Sequence, residues 1–384
     1  MNETLKYKIL TTVRYLGDAF YYPFIALYLK SCGLIESRIG FLLSLSPLIG
    51  ILTNPIYTYI CKKPAITKKV LGIISILEGI IILLIGFNHS FIPLMVLVVL
   101  LAIFGACHYG MMDSLVTLYA TSSDTPFSKI RIFGSIAYAV GTTAGGFLIK
   151  MVDFKLAFGM ATLLFVLSGI FYLLIQPIEI VDEVEDRPKY KELLKIRSFY
   201  LFGLLFVLLM GTVYASDHFY SVFLETKGID ASGYGLIYTY YVIVECVALF
   251  IYSRCKHLKG EVLLLICGIS LFMRQLVNLL PLPTLVVALG SAFRGFFYAT
   301  FLHVAYLYTE KLVGKRMATI AIMTMSFFQL ATIFGLDNLD GIIIEVKGYH
   351  AYYLLMLFLS SLCILLQITR MIIRRIKKEE PIEI

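Results

Sequence analysis

Residues 177–198 read PIEIVDEVEDRPKYKELLKIRS, the one long polar stretch in a chain of 384 residues. On either side of it the sequence is apolar almost without pause. Before it, apolar runs lie near 9–30, 38–60, 70–87, 91–120, 130–149 and 154–176. After it they lie near 199–224, 232–252, 262–280, 284–309, 317–344 and 350–370. A helix needs about 20 such residues to cross a bilayer. The runs are continuous rather than alternating, which excludes the strands of a membrane β-barrel. Composition agrees: 59% of residues are hydrophobic and 15% charged, against roughly 25% charged in soluble domains. The sequence therefore predicts an all-α membrane protein with twelve transmembrane helices. Residues 1–176 form one six-helix bundle, 177–198 a cytoplasmic linker, and 199–384 a second six-helix bundle with a basic tail. The first run lacks a small-residue cleavage site and reads as a span, not a signal peptide.

Charge sets the orientation. With the N-terminus inside, 24 of the 33 lysines and arginines fall on cytoplasmic segments and six on outer ones. A fourfold bias of this kind places both termini in the cytoplasm of a multi-pass protein of the cell membrane. The net charge of +8 then belongs to loops facing anionic lipid, and no nucleic-acid partner is implied. The seven cysteines are scattered without a CxxC pair, so neither a disulfide framework nor a metal site is indicated. No GxSxG, HExxH, P-loop or EF-hand motif is present, and the chain reads as a non-enzyme without cofactors.

Against this background the ionisable residues inside the spans stand out: Arg14, Asp18, Glu78, His108, Asp113, Asp217, His218, Glu245, Arg274, Arg294 and His303. A charge at a bilayer's centre costs at least ~2.5–3.5 kcal/mol, so such residues face a bundle interior or a watery cavity and mark a polar pathway. Arg14 and Asp18 are four apart on one helical face and can pair. Asp113 and Arg131 flank the polar turn TSSDTP (121–126) at similar depth, so a hairpin brings them together. Tyr138 lies two helical turns beyond Arg131 on the same face. Glu78 suits a structural role beside a serine or arginine, and His108 a hydrogen-bonded interior position. Asp337 and Asp340 close the eleventh span and read as solvated. Gly134, Ser135, Gly141, Gly145 and Gly146 allow helices to approach span 5 closely.

Six spans, a charged linker and six more spans resemble the major facilitator superfamily, whose two pseudo-symmetric bundles rock about a central site. The resemblance is closest to the group of the lactose permease, the phenylpropionate permease and the nucleoside–proton symporters. RIFGSIAY (131–138), YYPFIALYLKSCGL (21–34) and SLSPLIG (44–50) carry it. It implies that spans 1, 4, 7 and 10 line the cavity, that Asp113 and Arg131 contact substrate, and that Tyr138 stacks on it. VIVE (242–245) and LFMR (271–274) resemble that group's spans 8 and 9, implying proton-coupling roles for Glu245 and Arg274. In span 10 the lactose permease's His–x–x–Glu pair has no counterpart. AFRGFF (292–297) puts Arg294 in the histidine's region, and His303 resembles a lower histidine of the phenylpropionate permease. SFFQLATIF (326–334) places Gln329 toward the cavity. The loop 57–70, YTYICKKPAITKKV, keeps the basic residues of the superfamily's gating motif but not its aspartate.

The expected function is proton-coupled symport of a small polar organic solute: a sugar, a nucleoside or an organic acid. Asp113, Arg131, Tyr138, Arg294 and Gln329 are the candidate substrate ligands. Asp18, Glu245, Arg274 and His303 are the candidate coupling residues, with the proton as coupling ion and a monomer in the bilayer expected. A drug or metabolite exporter and a non-transporting receptor are the alternatives.

Overall fold

Every span long enough to carry a buried charge is a helix, but four are interrupted. The computed structural model describes residues 2–123, 125–176, 190–193, 195–252, 254–255, 258–378 and 382–383. Residues 177–189 of the expected linker lie outside the described residues. The elements are α1 (Glu3–Tyr21), α2 (Ile25–Ser31), α3 (Glu36–Ile60), α4 (Pro64–Gly86), α5 (Phe91–Gly105), α6 (His108–Ser122), α7 (Phe127–Met151) and α8 (Phe154–Leu174). They continue with α9 (Tyr190–Leu193), α10 (Arg197–His218), α11 (Tyr220–Thr226), α12 (Ala231–Tyr252), α13 (Gly260–Leu279), α14 (Thr284–Gly290), α15 (Ala292–Val313) and α16 (Lys315–Ile376).

Local sequence sets the ends. Asn2 and Asp153 cap α1 and α8 by accepting from Thr4 N and Leu156 N. Pro64 occupies the first turn of α4, where its missing N–H costs nothing. Within α16, Gly348 sits at φ 76°, ψ 177°, a conformation that L side chains avoid, and divides the element into two arms. Among the described residues ten helices are long and apolar enough to cross a membrane, with α5–α6 and α14–α15 each counted as one. The α1–α2 pair and the second arm of α16 bring the crossings to twelve. Their outward faces are apolar: Val346 is 71% and Leu285 70% exposed. Such surfaces suit lipid rather than water.

The interruptions fall at Tyr22–Phe24, where Pro23 forces one 3₁₀ turn between α1 and α2, and at Ala106–Cys107, Phe219 and Ser291. Counted as spans, these are the first, fourth, seventh and tenth. Broken helices at membrane depth are tolerated only where freed backbone groups find protein or a polar cavity.

Contacts group the chain into two compact units. Unit 1 comprises Met1–Glu183 with His218–Thr239, and unit 2 comprises Val184–Asp217 with Tyr240–Ile384. Within unit 1, α4 packs on α8, and α1 on α7 and α8. Small residues make these crossings tight: Gly72 and Gly169 face each other's carbonyls, while Gly134 and Gly141 lie under Tyr15 and Ala19 of α1. The segment His218–Thr239 joins unit 1 for the same reason. A Cβ at Gly146 would run into the backbone of Ala231, and one at Gly235 would meet Thr142 O at 2.6 Å. Thr143 and Thr239 share a 2.7 Å hydrogen bond, and Lys150 pairs with Asp230 at 2.8 Å. In unit 2, α13 packs on α15 and α16 around Leu264, Leu271, Phe297 and Val304.

Candidate functional site

In unit 1 the buried charges converge on one guanidinium. Arg14 and Asp18 stand one turn apart on α1, with Nε of Arg14 3.1 Å from Asp18 Oδ2. The other side of the same guanidinium pairs with Glu78 of α4 and lies 4.1 Å from the centre of the Phe165 ring of α8. Glu78 Oε1 is in turn 3.4 Å from His108 Nδ1, at the start of α6 just past the break at Ala106–Cys107. His108 Nε2 meets Tyr172 OH at 3.0 Å, and Tyr109 donates to Asp18 at 2.5 Å. Arg14, Asp18, Glu78 and His108 are 3%, 7%, 1% and 0% exposed, so they are held by each other rather than by solvent. Gly105 makes room, since a Cβ there would stand 3.0 Å from Glu78 Oε1. Asp18 therefore sits inside a buried charge network, paired with Arg14 as its spacing predicts. Glu78 is its second acid.

Beside this network lies a more open group. Arg131 Nε is 3.9 Å from Asp113 Oδ1, and both side chains are part-exposed, 33% and 42%. The guanidinium lies over the Tyr15 ring at 4.1 Å and donates to Ser135 at 3.3 Å. Tyr15 packs edge-on against Tyr138, which sits 5.3 Å from Tyr238. Arg131 and Tyr138, two turns apart on α7, thus meet through Tyr15 of α1. Asp113 Oδ1 is buried, and among the described residues none donates a hydrogen bond to it.

In unit 2 the centre is an acid. Asp217, at the end of α10, takes Arg274 Nη1 of α13 on Oδ1 at 2.7 Å. Its Oδ2 takes Arg294 of α15 at 2.6 Å and 2.7 Å, two donors from one guanidinium. Arg274 also donates to Ser216 at 3.1 Å. Arg294 is sandwiched between Tyr241 at 4.1 Å and Tyr298 at 4.4 Å. Arg274 and Arg294, read from sequence as a coupling residue and a substrate ligand, share one carboxylate. Neither role falls to Asp217 on the sequence alone. An acid in span 7 and arginines in spans 9 and 10 had to be paired somewhere, because lone charges at membrane depth are rare.

The two clusters occupy equivalent places in the two halves. Glu78 is the fifteenth residue of α4, and Arg274 the fifteenth of α13. His108 and Arg294 each lie within three residues of the start of a helix that resumes after a break.

A model of the MFS_1 like family matches residues 6–355. The chain belongs to that family. It is 25% identical over 357 residues to the uncharacterized transporter YwbF of Bacillus subtilis (strain 168), covering 90% of this chain and 88% of that one. To the probable 3-phenylpropionic acid transporter of Escherichia coli (strain K12) it is 23% identical over 268 residues, 64% of this chain and 67% of that one. The crystal structure of the nucleoside transporter NupG superimposes with a TM-score of 0.77 at 15% identity, over 97% of this chain and 98% of that one. The fold is therefore the helical major facilitator fold, and the protein is an integral membrane transporter of small solutes, not an enzyme.

Within this family member the remaining predicted residues scatter. His303 stacks on Tyr252 at 5.3 Å, and Tyr252 bonds Thr300. His303 therefore packs on α12, while Arg294, nine residues earlier, reaches α10. Glu245 and Gln329 are half-buried, on α12 and α16. The eleventh span overturns one expectation: Asp337 and Asp340 are both 0% exposed, not solvated. They fall on the buried stripe Ile333, Asp337, Asp340, Gly341 and Ile344, whose spacing follows the helical repeat.

Proposed function

We propose that the protein is a proton-coupled symporter. It imports a small polar organic solute by alternating access, as a monomer, with both termini in the cytoplasm and no cofactor beyond the proton. The observation that carries this reading is the loose Asp113–Arg131 pair. At 3.9 Å the two groups attract each other without forming a close bidentate bond. Among the described residues none donates a hydrogen bond to Asp113 Oδ1, so the pair keeps capacity for a ligand. The tyrosines Tyr15, Tyr138 and Tyr238 beside it offer flat faces on which a planar or ring-shaped solute can stack. An arginine, a carboxylate and stacked tyrosines suit solutes that combine a polar or anionic group with a ring. The relatives named for 3-phenylpropionic acid and for nucleosides fit that description.

The test is uptake by proteoliposomes of 3-phenylpropionate and of uridine, each with and without an imposed inward proton gradient. Gradient-driven accumulation of either, abolished by Arg131→Ala, supports the reading. Accumulation indifferent to the gradient removes proton coupling. Binding without counterflow exchange makes the protein a receptor instead.

A further inference from the structure

From the eleventh span we infer that Asp340 is the carboxyl group that holds the coupled proton in this conformation. This rests on the proton-coupled reading above and gives it a residue that the sequence set aside.

Several acids inside the spans have cationic partners. Asp18 has Arg14 at 3.1 Å and the Tyr109 hydroxyl at 2.5 Å. Glu78 pairs with Arg14. Asp217 has Arg274 and Arg294 at 2.7 Å and 2.6 Å. Asp340 differs. It is 0% exposed, and both its oxygens are buried without a hydrogen bond; among the described residues no other acid has both oxygens in that state. An ionised carboxylate stripped of water and given no donor is so unfavourable that the group neutralises instead. A carboxylic acid carries no net charge and fits the same space.

The surroundings reinforce this. Asp337, three residues earlier, is equally buried on the same stripe, so a second negative charge at Asp340 would face a like group. From the second arm of α16, Tyr352 lies within electrostatic range of Asp340, of Tyr349 and Tyr353, and of Arg274 on α13. Its hydroxyl is 3.5 Å from Ala215 O of α10, to which it donates. Arg274 is bound to Asp217.

Loss of the proton would leave a carboxylate that this arrangement does not solvate. Deprotonation is therefore tied to a rearrangement that brings water or a cation to Asp340, and a conformation that binds the proton differently is what coupling requires. The only chemical change is transfer of H⁺ between the carboxyl oxygen and water.

Two measurements test this on the full chain. Infrared difference spectra of the purified protein at neutral pH should show the carbonyl stretch of a protonated carboxylic acid. Asp340→Asn should remove it, and Asp337→Asn should not. Asparagine is the neutral isostere of the protonated acid, so Asp340→Asn should fold and melt like the wild type. A wild type without the band, or a band that survives Asp340→Asn, overturns the inference. In proteoliposomes a one-unit pH gradient drives one-to-one symport to about tenfold accumulation. With 3-phenylpropionate or uridine, whichever the wild type accumulates, Asp340→Asn should show no accumulation while equilibrium exchange continues. If Asp340→Asn accumulates as the wild type does, Asp340 is excluded and the proton-coupled reading stands. If the wild type ignores the gradient, the proton-coupled reading falls and the coupling role falls with it. Accumulation driven by sodium and lost in Asp340→Asn would overturn the proton in favour of that cation.

Discussion

The two halves of the molecule solve the problem of buried charge with opposite signs. In unit 1 one cation, Arg14, serves two acids, Asp18 and Glu78, with His108 behind them. In unit 2 one acid, Asp217, serves two cations, Arg274 and Arg294. The helices involved correspond: α1, α4 and α6 in the first half, α10, α13 and α15 in the second. At the fifteenth position of α4 stands a glutamate, and at the fifteenth of α13 an arginine. A repeat keeps the place where a charge is buried, because helix breaks and small residues provide room there. It does not keep the sign, because only the sum within each cluster has to be small.

Exposure separates the two further. In unit 1 the side chains of Arg14, Glu78 and His108 are 4%, 1% and 0% exposed, and Asp18 is the most open at 10%. In unit 2 the Asp217 side chain remains 17% exposed and that of Arg294 11%, so that cluster is within reach of a solute or of water. Unit 1 has instead a second, open group in Asp113 and Arg131.

Breaking the comparison at its tightest point should have the largest effect. Arg14→Met strands two buried carboxylates and should cost about 3–5 kcal/mol, the range for removing one partner of a buried pair. Thermal unfolding in detergent measures it. The triple change Arg14→Met, Asp18→Asn, Glu78→Gln should recover much of the loss. If Arg14→Met alone melts like the wild type, the network does not hold the unit together.

Asp217→Asn removes the charge that two arginines share. It should cost about 1.5–3 kcal/mol, the range for a charge-assisted hydrogen bond, and should lower uptake more than Arg14→Met does in the fraction that folds. Equal uptake in Asp217→Asn and wild type would show that the unit 2 cluster is as structural as its counterpart.

A smaller effect is expected where the segment His218–Thr239 meets α7. Gly146→Val puts a side chain where Ala231 backbone stands and should cost about 1–3 kcal/mol by overpacking. It should also favour whichever conformation separates the two, read as altered labelling of a cysteine placed at Ser232.

The smallest is Lys150–Asp230, an exposed pair at 2.8 Å. Lys150, with the Ser232 hydroxyl and the Gly233 N–H, holds the Asp230 carboxyl below the usual carboxylate range. A depressed carboxyl stabilises the fold above its unfolded value and loses that contribution as pH falls through the folded one. Lys150→Met should therefore lower stability by no more than about 0.2–1 kcal/mol at neutral pH. Melting curves of the two proteins should converge only in strong acid. A difference that persists there would mean that the lysine acts through packing.

Much of the site was legible in part. Arg14 and Asp18 could be paired from their spacing alone, since four residues on a helix share a face. Asp113 and Arg131 could be paired because a tight turn fixes their relative depth. Nothing in the spacing joins Glu78 to Arg14 or Asp217 to Arg294, which are 64 and 77 residues apart. Asp337 and Asp340 read as solvated because they stand near the end of a span. Only the rotation of α16 shows that they lie on its inward stripe.

The sequence by itself determined the helical spans and the family, because crossing a bilayer is a local requirement. About 20 apolar residues satisfy it wherever they stand, and a helix satisfies its own backbone. The tertiary structure alone decided which distant charges meet, Glu78 with Arg14 and Asp217 with Arg274 and Arg294, and that neither oxygen of Asp340 has a hydrogen bond among the described residues. Those outcomes depend on how each helix is turned about its axis, and the neighbours set that angle.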